Sequence, residues 1–565
     1  MTSVKVASSR TVAFKALCAL RKNTTYVQDF LKHFDAFRAL LQDEKSFVQH
    51  VVCGVISSQS MVDKMLAQYV KRLAHQPYKV LICLRMATYE LVYRQTAAYA
   101  VVSQYVELVR LVDKRGASFV NAVLHRIATH DQTNFAHARQ HLVRIVQDCH
   151  SYDDTLRVIN AAPISAESQH HLLQSYGFTC ESDFLCEACL VSGLPTWIVN
   201  RVYRDRGLFI CAHMALAAQA HVPFYVCKNP YNPPQIPGEL APVQNVWGSY
   251  KLHGISPAAL YNDIEGQRLT ISDFAAQCIA ACVVHTRPKK LLEIGCGKGT
   301  KSLLISYMNK RLSCPAISER VVCDKSPQKL ACARKRLSRA HINDPIRFVA
   351  HDATTLDTYF DEHERFDTVF IDAPCSGSGT MRRHVEAPST MSETALDVAR
   401  SHSLVYTQRE LLRAASRLVN VGGFLIYATC SIFSCENEDV VSAFLASDAG
   451  KGFVCTNFPR AWTQELHASM REVVTQAYNS FSASVVDTNH KATADCKTTA
   501  DVRSFSQVVP DAASATSQAA SDAVRTSSQA ASATTCTSSH CGMYVFAPMA
   551  HSCDSHFVAC LTRIS

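Results

Sequence analysis

The sequence of 565 residues lacks any run of about 18 apolar residues, the length that a membrane-spanning helix requires. Its first ten residues, MTSVKVASSR, also lack the apolar core of a secretory signal peptide. We therefore expect a cytoplasmic protein with no membrane partner. The 24 cysteines form no regular framework, so we expect most of them to be free thiols that behave as small hydrophobic side chains.

Spacings typical of metal sites are missing or isolated. The 24 histidines are dispersed, and none belongs to an H-E-x-x-H motif. The C-x-x-C pair Cys186 and Cys189 lies in a predicted helix without a second pair, and Cys536, His540 and Cys541 lie in or beside a low-complexity stretch. We predict no metal site.

Charge gives only a weak indication of the partner. Lys and Arg outnumber Asp and Glu by 57 to 48, which leaves a formal net charge of +9. This excess is compatible with an acidic partner such as nucleic acid, but it suits an ordinary basic enzyme equally well. The length predicts two or three domains.

The composition changes twice along the chain. Residues 1–130 contain only Pro77, Gly54 and Gly116 as helix-breaking residues, and their apolar residues recur at helical spacing, which predicts an all-α domain. Residues 131–265 read as a helical linker followed by a proline-rich, small α/β connecting module.

Residues 266–565 alternate apolar strands with helices, which predicts a parallel, doubly wound, Rossmann-like α/β domain. Residues 485–540 are rich in Ser, Ala and Thr, so we expect a disordered insertion there. Two later strand-like stretches, 542–546 and 557–561, should complete the sheet. The five earlier candidate strands are Lys290–Ile294, Glu319–Cys323, Ile346–Val349, Phe366–Ile371 and Gly423–Thr429.

The first of these strands enters a glycine loop that precedes a helix. Gly295, Gly297 and Gly299 form G-x-G-x-G, which differs from the dinucleotide pattern G-x-G-x-x-G. Glycines at such a turn permit close approach of the backbone to a ligand.

Three aspartates follow later strands of the predicted sheet. Asp324, Asp352 and Asp372 each end or follow a strand, where a carboxylate can accept hydrogen bonds from ribose or adenine. Each aspartate alone could equally be a helix N-cap. The ordered series fits an adenosine-bearing ligand. NAD competes, but the glycine spacing and two downstream cysteines favour S-adenosylmethionine.

Two cysteines also follow predicted strands. Cys375 lies in D-A-P-C-S-G at 372–377 and Cys430 in A-T-C-S at 428–431. Open α/β sheets build their sites at the carboxyl ends of parallel strands, so two thiols there suggest covalent chemistry. Either cysteine alone could be a buried strand-end thiol.

Longer motifs around these residues resemble a known family. D-A-P-C-S-G-S-G-T-M-R-R at 372–383 and Y-A-T-C-S-I-F-S-C-E-N-E at 427–438 resemble the RNA 5-methylcytidine methyltransferases. D-E-K-S-F-V-Q-H-V-V-C-G at 43–54 and G-A-S-F-V-N-A-V-L-H-R-I at 116–127 resemble the NusB-type RNA-binding domain. The combination is similar to the bacterial 16S rRNA cytosine-5 methyltransferases of the RsmB (Sun/Fmu) type.

The resemblance implies roles for individual residues. Cys430 would attack C6 of the cytosine, Cys375 would assist product release, and Asp372 would bond the base edge. Apart from the resemblance, Arg382, Arg383 and His384 follow the first motif and could bind phosphate, although they could equally form a solvated basic turn. The cofactor would be S-adenosylmethionine, held by Gly295, Cys296, Gly297, Lys298, Gly299, Thr300, Lys301, Asp324, Asp352 and Asp372. The family's loop usually reads D-x-C-A-A-P-G-G-K-T, so Lys298 replaces its proline and Thr300 its second glycine.

The implied partner is 16S rRNA or an early small-subunit assembly intermediate, bound by a monomer. A tRNA-directed enzyme of the same chemistry and a catalytically silent NusB-like RNA-binding factor are the alternatives. The reverse cysteine assignment, with Cys375 as nucleophile, is that of the DNA cytosine methyltransferases, and the Thr-Cys context of Cys430 argues against it.

Overall fold

The computed structural model describes residues 8–21, 26–147, 166–220, 222–234, 241–242, 248–252, 257–458, 543–546 and 553–565, together with Trp462 and Gln464. The expected disordered insertion at 485–540 lies outside the described residues. The chain divides into two compact units. The first contains the described residues of 1–148, 162–221 and 381–391, and the second contains those of 222–380 and 392–565.

The first unit is helical. Its longer helices are α1 Ser9–Leu20, α2 Val27–His33, α3 Asp35–Arg38, α4 Gln42–Ser57, α5 Gln59–Tyr69, α6 Tyr78–Val92, α7 Ala98–Val112, α8 Ala117–Gln147, α9 Ala166–Ser175, α10 Glu181–Ser192 and α11 Thr196–Ala218. Short helical turns occupy Leu73–His75, Lys114–Gly116 and Ala387–Thr390.

Helix boundaries and packing in this unit follow from single residues. Ser8 caps α1 by accepting a hydrogen bond from the Thr11 amide, and α6 begins directly after Pro77, where a proline fits because no intrahelical donor is lost. Gly54 lets α4 approach α6, because a Cβ at this position would lie 1.9 Å from the Tyr89 ring. The predicted all-α fold of the NusB-like region is confirmed.

The second unit contains both sheets. Its strands are β1 Tyr225–Lys228, β2 Ala241–Pro242, β3 Ser249–Lys251, β4 Leu269–Ile271, β5 Lys290–Ile294, β6 Glu319–Asp324, β7 Ile346–Ala350, β8 Phe366–Asp372, β9 Val419–Thr429, β10 Phe453–Cys455, β11 Met543–Phe546 and β12 His556–Arg563. Its helices are α12 Tyr261–Glu265, α13 Phe274–His285, α14 Thr300–Arg311, α15 Pro327–Arg339, α16 Leu356–Tyr359, α17 Leu404–Ser416 and α18 Glu438–Leu445. Short 3₁₀ turns occupy Pro257–Leu260, Ala353–Thr355, Ser378–Thr380, Glu393–Leu396, Ser434–Glu436 and Asp448–Gly450.

The large sheet has eight strands in the order β10-β12-β9-β8-β5-β6-β7, with β11 paired to β12. Strands β5 to β9 run parallel, whereas β10, β11 and β12 pair antiparallel. The chain moves outward from β5 to β7 and returns to β8 on the other side of β5, which creates a switch point between β5 and β8. Such switch points are where doubly wound sheets bind ligands. The predicted Rossmann-like domain is confirmed.

All seven strands predicted for this domain are present. Strand β9 is longer than predicted because Phe366 pairs with Val419 across an irregularity, before Thr368 pairs with Phe424. Gly422 adopts φ +80°, a backbone region that suits glycine, inside that irregularity.

The smaller sheet is antiparallel, in the order β2-β3-β1-β4. Its last strand, β4, lies beyond residue 265. The domain boundaries at residues 130 and 265 stay predictions. Within the described ranges no single helix is long and apolar enough to cross a membrane, although the bent pair α10 and α11 together meets the criteria of length and composition.

Candidate active site

The parallel strands bring the predicted site residues to one edge of the large sheet. The glycine loop follows β5, Asp324 ends β6, Asp352 follows β7, Asp372 ends β8 and Cys430 follows β9. Their common location follows from the parallel direction of β5 to β9, since parallel strands end at the same edge.

The glycine loop depends on backbone contacts. The amides of Gly295 and Cys296 both donate to the Cys323 carbonyl of β6, at 2.9 and 3.2 Å. Gly295 has φ +79°, and a Cβ there would lie 2.3 Å from the Asp372 carbonyl oxygen. Gly299 has φ +82°, and its Cβ would lie 2.8 Å from that of Ala333. Both positions therefore require glycine.

A buried ion pair supports the start of this loop. The side chains of Glu293 and Arg320 are both fully buried, and Arg320 Nη2 lies 3.0 Å from Glu293 Oε2. The remaining Glu293 oxygen accepts a hydrogen bond from Ser302 Oγ at 2.7 Å, and Arg320 also donates to Ser306 Oγ and to the Ser302 carbonyl. Strands β5 and β6 and helix α14 are thereby linked beneath the loop. The sequence did not predict the contact between Glu293 and Arg320, which joins two neighbouring strands.

A second arginine holds the loop at the positions where it departs from the family pattern. Arg336 Nη1 donates to the Lys298 carbonyl at 3.0 Å and to Thr300 Oγ1 at 2.9 Å, while its Nε donates to Gln267 Oε1 at 3.1 Å. Burial lowers the pKa of Arg336. Nothing in the sequence singled out Arg336, because it lies on α15, away from the motif.

Asp324 binds the glycine loop directly. Its Oδ2 accepts the Gly297 amide hydrogen at 2.9 Å, and its Oδ1 accepts that of Ser326 at 2.8 Å. The carboxylate thus fixes the turn, and each oxygen retains a lone pair for a ligand hydroxyl. Its predicted contact with ribose stays a prediction.

Asp352 caps a short helical turn. Its Oδ1 accepts hydrogen bonds from the Thr354 amide and hydroxyl, at 3.0 and 2.8 Å. The hydrogen bond from the Thr354 amide is the main cause of the lowered pKa of Asp352. The capping role is therefore present, and the adenine contact stays a prediction.

Lys301 binds Asp372, the aspartate of the first cysteine motif. Lys301 Nζ lies 2.8 and 2.7 Å from the two Asp372 oxygens. Only 13% of the lysine side chain and 25% of the aspartate side chain are exposed. Burial alone would lower the pKa of Lys301, but the adjacent Asp372 carboxylate raises it overall. A charged lysine therefore lies where the sequence predicted a cofactor contact.

The two cysteines contact one another. Cys375 Sγ and Cys430 Sγ are 3.2 Å apart, both sulfurs are partly buried, and both thiols are free. The hydrogen bond to Cys430, followed by burial, raises the pKa of Cys375 well above its usual value. The same hydrogen bond lowers the pKa of Cys430, and the charge of Lys301 lowers it further, against the effect of burial. These opposite pKa directions favour Cys430 over Cys375 as the thiolate of the pair.

Comparison with known proteins assigns both regions of the chain. Residues 283–481 match the 16S rRNA methyltransferase RsmB/F family model, and residues 7–129 match the NusB family model. The chain thus combines a region that matches the RsmB/F methyltransferases with a region that matches NusB, which fits the fusion that the sequence predicted. Its enzyme class is therefore that of the S-adenosylmethionine-dependent RNA methyltransferases.

Individual relatives agree with this assignment. A probable ribosomal RNA small subunit methyltransferase B of Bacillus subtilis is 24% identical over 450 residues, covering 78% of this chain and 89% of that protein. The ribosomal RNA small subunit methyltransferase B of Pseudomonas syringae is 32% identical over 182 residues, covering 32% of this chain and 38% of that protein. The crystal structure of PH0851 shares the fold, with a TM-score of 0.56 at 14% identity and 99% coverage of both chains.

The remaining residues that the sequence predicted for the site are Arg382 and Arg383. They lie in segment 381–391, which belongs to the first compact unit. Within that unit, the Arg383 carbonyl accepts a hydrogen bond from Gln28 Nε2 at 3.5 Å, and both arginines are half-buried. Their phosphate contacts stay predictions. Among the described residues, no group of three or more His, Cys, Asp or Glu side chains is placed to hold a metal ion.

Proposed function

We propose that this protein transfers a methyl group from S-adenosylmethionine to C5 of a cytidine in 16S rRNA, through a covalent bond between Cys430 and the base. The observation that carries the proposal is the 3.2 Å contact between the two sulfurs beside the Lys301–Asp372 pair. This arrangement favours one thiolate and one thiol, which are the two forms that the reaction needs.

The proposed chemistry starts at Cys430. C5 of cytosine is a poor nucleophile, but addition of a thiolate to C6 makes C5 electron-rich enough to attack a methyl sulfonium. Asp372 would hold the base edge near N3 and N4 and stabilise the charge that develops there. After methylation the C5 proton leaves, its electron pair restores the C5–C6 double bond, and the C6–sulfur bond breaks. We assign Cys375 to assist this release.

The edge of the sheet suits an adenosyl ligand. A Cβ on Gly297 would meet nothing within 4 Å, so open space lies over the loop at that position. Asp324 and Asp352 follow neighbouring strands and retain lone pairs for ribose and adenine donors. The cofactor would supply the electrophilic methyl group, while the loop, Asp324 and Asp352 would hold it beside Cys430. To reach Cys430, the target cytosine must first leave its stack in the RNA.

We infer the RNA substrate from the matched family and from the relatives of this chain. The matched family is described as acting on 16S rRNA, and the Bacillus subtilis and Pseudomonas syringae relatives are named as small-subunit enzymes. The NusB match and the net charge of +9 are in keeping with an RNA partner.

Bisulfite mapping of rRNA and tRNA from cells with and without the gene tests the substrate. We expect loss of one 5-methylcytidine from small-subunit rRNA. An unchanged rRNA pattern with a lost tRNA site would replace the proposal by the tRNA alternative, and no change in either RNA would favour the silent RNA-binding factor.

Covalent trapping on RNA that contains 5-fluorocytidine tests the roles of the cysteines, because fluorine at C5 cannot leave as a proton does. Cys430→Ala should abolish the adduct, whereas Cys375→Ala should still form it. The opposite result would reverse the assignment.

A further inference from the structure

The two cysteine loops converge on one buried carboxylate. Ser376 follows Cys375, Ser431 follows Cys430, and Glu436 Oε2 accepts a hydrogen bond of 2.5 Å from the hydroxyl of each serine. Glu436 Oε1 accepts the Ser376 amide hydrogen at 2.8 Å. The Glu436 side chain is fully buried. A single carboxylate therefore bonds to the residue after each cysteine.

A second set of contacts fixes this carboxylate in turn. Gln408, on helix α17, donates through Nε2 to Glu436 Oε1 at 3.1 Å and to the Pro374 carbonyl at 2.9 Å. Ser378 Oγ lies 2.9 Å from Ser431 Oγ. Ser376, Ser431 and Gln408 all donate to the carboxylate, and an ionised carboxylate can accept each of these hydrogen bonds.

The neighbouring Asn437 provides a contrast. Its Oδ1 accepts a hydrogen bond from Thr429 Oγ1 at 2.6 Å, and its Nδ2 donates to the Ser431 carbonyl at 3.0 Å. Both contacts lie on the Cys430 side. Glu436 differs because its contacts extend to both loops.

We propose that Glu436 is a positioning residue, which clamps the two cysteine loops so that the Cys375 thiol lies against the Cys430 sulfur. The consequence for catalysis rests on the proposed function, but the geometry of the two thiols does not. Without the clamp, the loops after β8 and β9 would keep the Ser378–Ser431 contact and the hydrogen bond from the Gly379 amide to the Cys430 carbonyl, but would lose the carboxylate that joins the residues next to the two cysteines.

The charges around Cys430 allow the clamp to be separated from simple electrostatics. The Cys375 hydrogen bond and the Lys301 ammonium favour the thiolate, whereas the Asp372 and Glu436 carboxylates oppose it. Glu436 therefore acts in two opposite ways, since its charge disfavours the thiolate while its bridge secures the hydrogen bond that favours it. A substitution that keeps the charge but not the length should raise the Cys430 pKa, whereas one that keeps the length but not the charge should lower it or leave it unchanged.

The test measures the rate of alkylation of Cys430 by iodoacetamide against pH on the full-length protein, with each cysteine followed by peptide mass spectrometry. Glu436→Asp keeps the charge but shortens the reach by one carbon–carbon bond. We expect its midpoint to rise by about one pH unit and its rate at pH 7 to fall about tenfold. Glu436→Gln keeps the length and removes the charge, so its midpoint should stay the same or fall.

Two further variants complete the experiment. Asp439→Asn removes an exposed carboxylate three residues away and should leave the midpoint unchanged. Ser376→Ala removes one hydroxyl contact with Glu436 but keeps the amide contact, so it should give a smaller upward shift. If Glu436→Asp does not fold, Ser376→Ala takes its place as the test of the clamp.

Two results would overturn the clamp: an unchanged midpoint in folded Glu436→Asp and Ser376→Ala, or an upward shift in Glu436→Gln as large as in Glu436→Asp. The assay uses no RNA and no cofactor. A shift as expected, together with an unchanged 5-methylcytidine map, would leave the positioning role standing while the proposed substrate fails.

Discussion

The loop after β5 and the loops after β8 and β9 lie at the same edge of the sheet but are held by different kinds of atoms. Backbone hydrogen bonds and glycines with positive φ shape the first, as at Gly295, with an aspartate and an arginine binding its amides and carbonyls. Hydrogen bonds to Glu436, together with a backbone hydrogen bond from the Gly379 amide to the Cys430 carbonyl, connect the other two. The cofactor loop should therefore be sensitive to added bulk at Gly295, and the link between the cysteine loops to changes in hydrogen bonding and charge at Glu436.

The largest effect should come from adding bulk to the cofactor loop. Gly295→Ala would place a Cβ 2.3 Å from the Asp372 carbonyl in a residue with φ +79°. We expect the free energy of unfolding to fall by on the order of 3 kcal/mol, and methylation to be lost, because the clash displaces the end of β8. Denaturant unfolding and a methylation assay measure both effects.

Gly297→Ala is the matched control, because φ is also positive but nothing lies within 4 Å of its Cβ. It should cost about 1 kcal/mol, from backbone strain alone. Equal losses in the two variants would show that the contact with Asp372 does not determine the shape of this loop.

The next largest effect should come from removing the charge of Lys301, which lies beside the cysteine loops. Lys301→Met removes the cation that lies 2.7 Å from Asp372 and that favours the Cys430 thiolate. We expect kcat to fall on the order of 10²-fold, as for loss of one stabilising group in an active site. The acidic limb of the pH–rate profile should move to higher pH, since a higher pKa of Cys430 delays thiolate formation.

Lys301→Arg keeps the charge and should restore part of the rate and most of the pH profile. If Lys301→Met lowered affinity for S-adenosylmethionine without moving the pH profile, Lys301 would belong to the cofactor site, as its place in the motif suggested.

A smaller effect is expected where a side chain holds the cofactor loop from outside. Arg336→Met removes the hydrogen bonds to the Lys298 carbonyl and Thr300 Oγ1 but keeps an unbranched side chain that replaces the aliphatic part of the arginine. We expect about tenfold weaker binding of S-adenosylmethionine by calorimetry, with the midpoint of Cys430 alkylation unchanged. A shift in that midpoint would mean that the cofactor loop and the cysteine loops are coupled.

The smallest effect is expected at Asp352. Asp352→Asn keeps an acceptor for the Thr354 amide but removes the charge, so stability should fall slightly at neutral pH and match that of the unchanged protein at acidic pH. Because the pKa of Asp352 is lowered in the folded protein, its carboxylate contributes stability above its unfolded pKa, and that contribution is lost as the pH falls through the folded value. Unfolding at neutral and acidic pH measures this. Weaker cofactor binding with unchanged stability would support the adenine contact.

Much of this architecture could be predicted from local patterns. The apolar runs predicted seven of the eight strands of the large sheet and missed the short edge strand β10. Strands that are covered on both faces read as continuous hydrophobic segments, which makes them easy to recognise. The start of β9 at Val419 was missed, since pairing across the irregularity at Gly422 involves a distant strand. Strand-end positions also predicted which residues gather at one edge.

The partners of those residues were harder to predict. Asp352 occupies a cap that its local sequence allows, whereas the contacts of Asp372 with Lys301 span 71 positions along the chain. Arg320 and Arg336 carry no signal of their own, and the motif that contains Glu436 does not reveal that its carboxylate contacts both cysteine loops. A long-range hydrogen bond leaves no periodicity in the sequence.

By itself, the sequence determined the two fold classes, the family resemblance, and the order of glycine loop, aspartates and cysteines along the sheet. These properties follow from hydrophobic periodicity and from residues adjacent in the chain. Only the tertiary structure decided that Cys375 contacts Cys430 and that Lys301 lies beside Asp372. Thiol pKa values depend on distances of a few ångströms, and the packing of β5, β8 and β9 sets those distances.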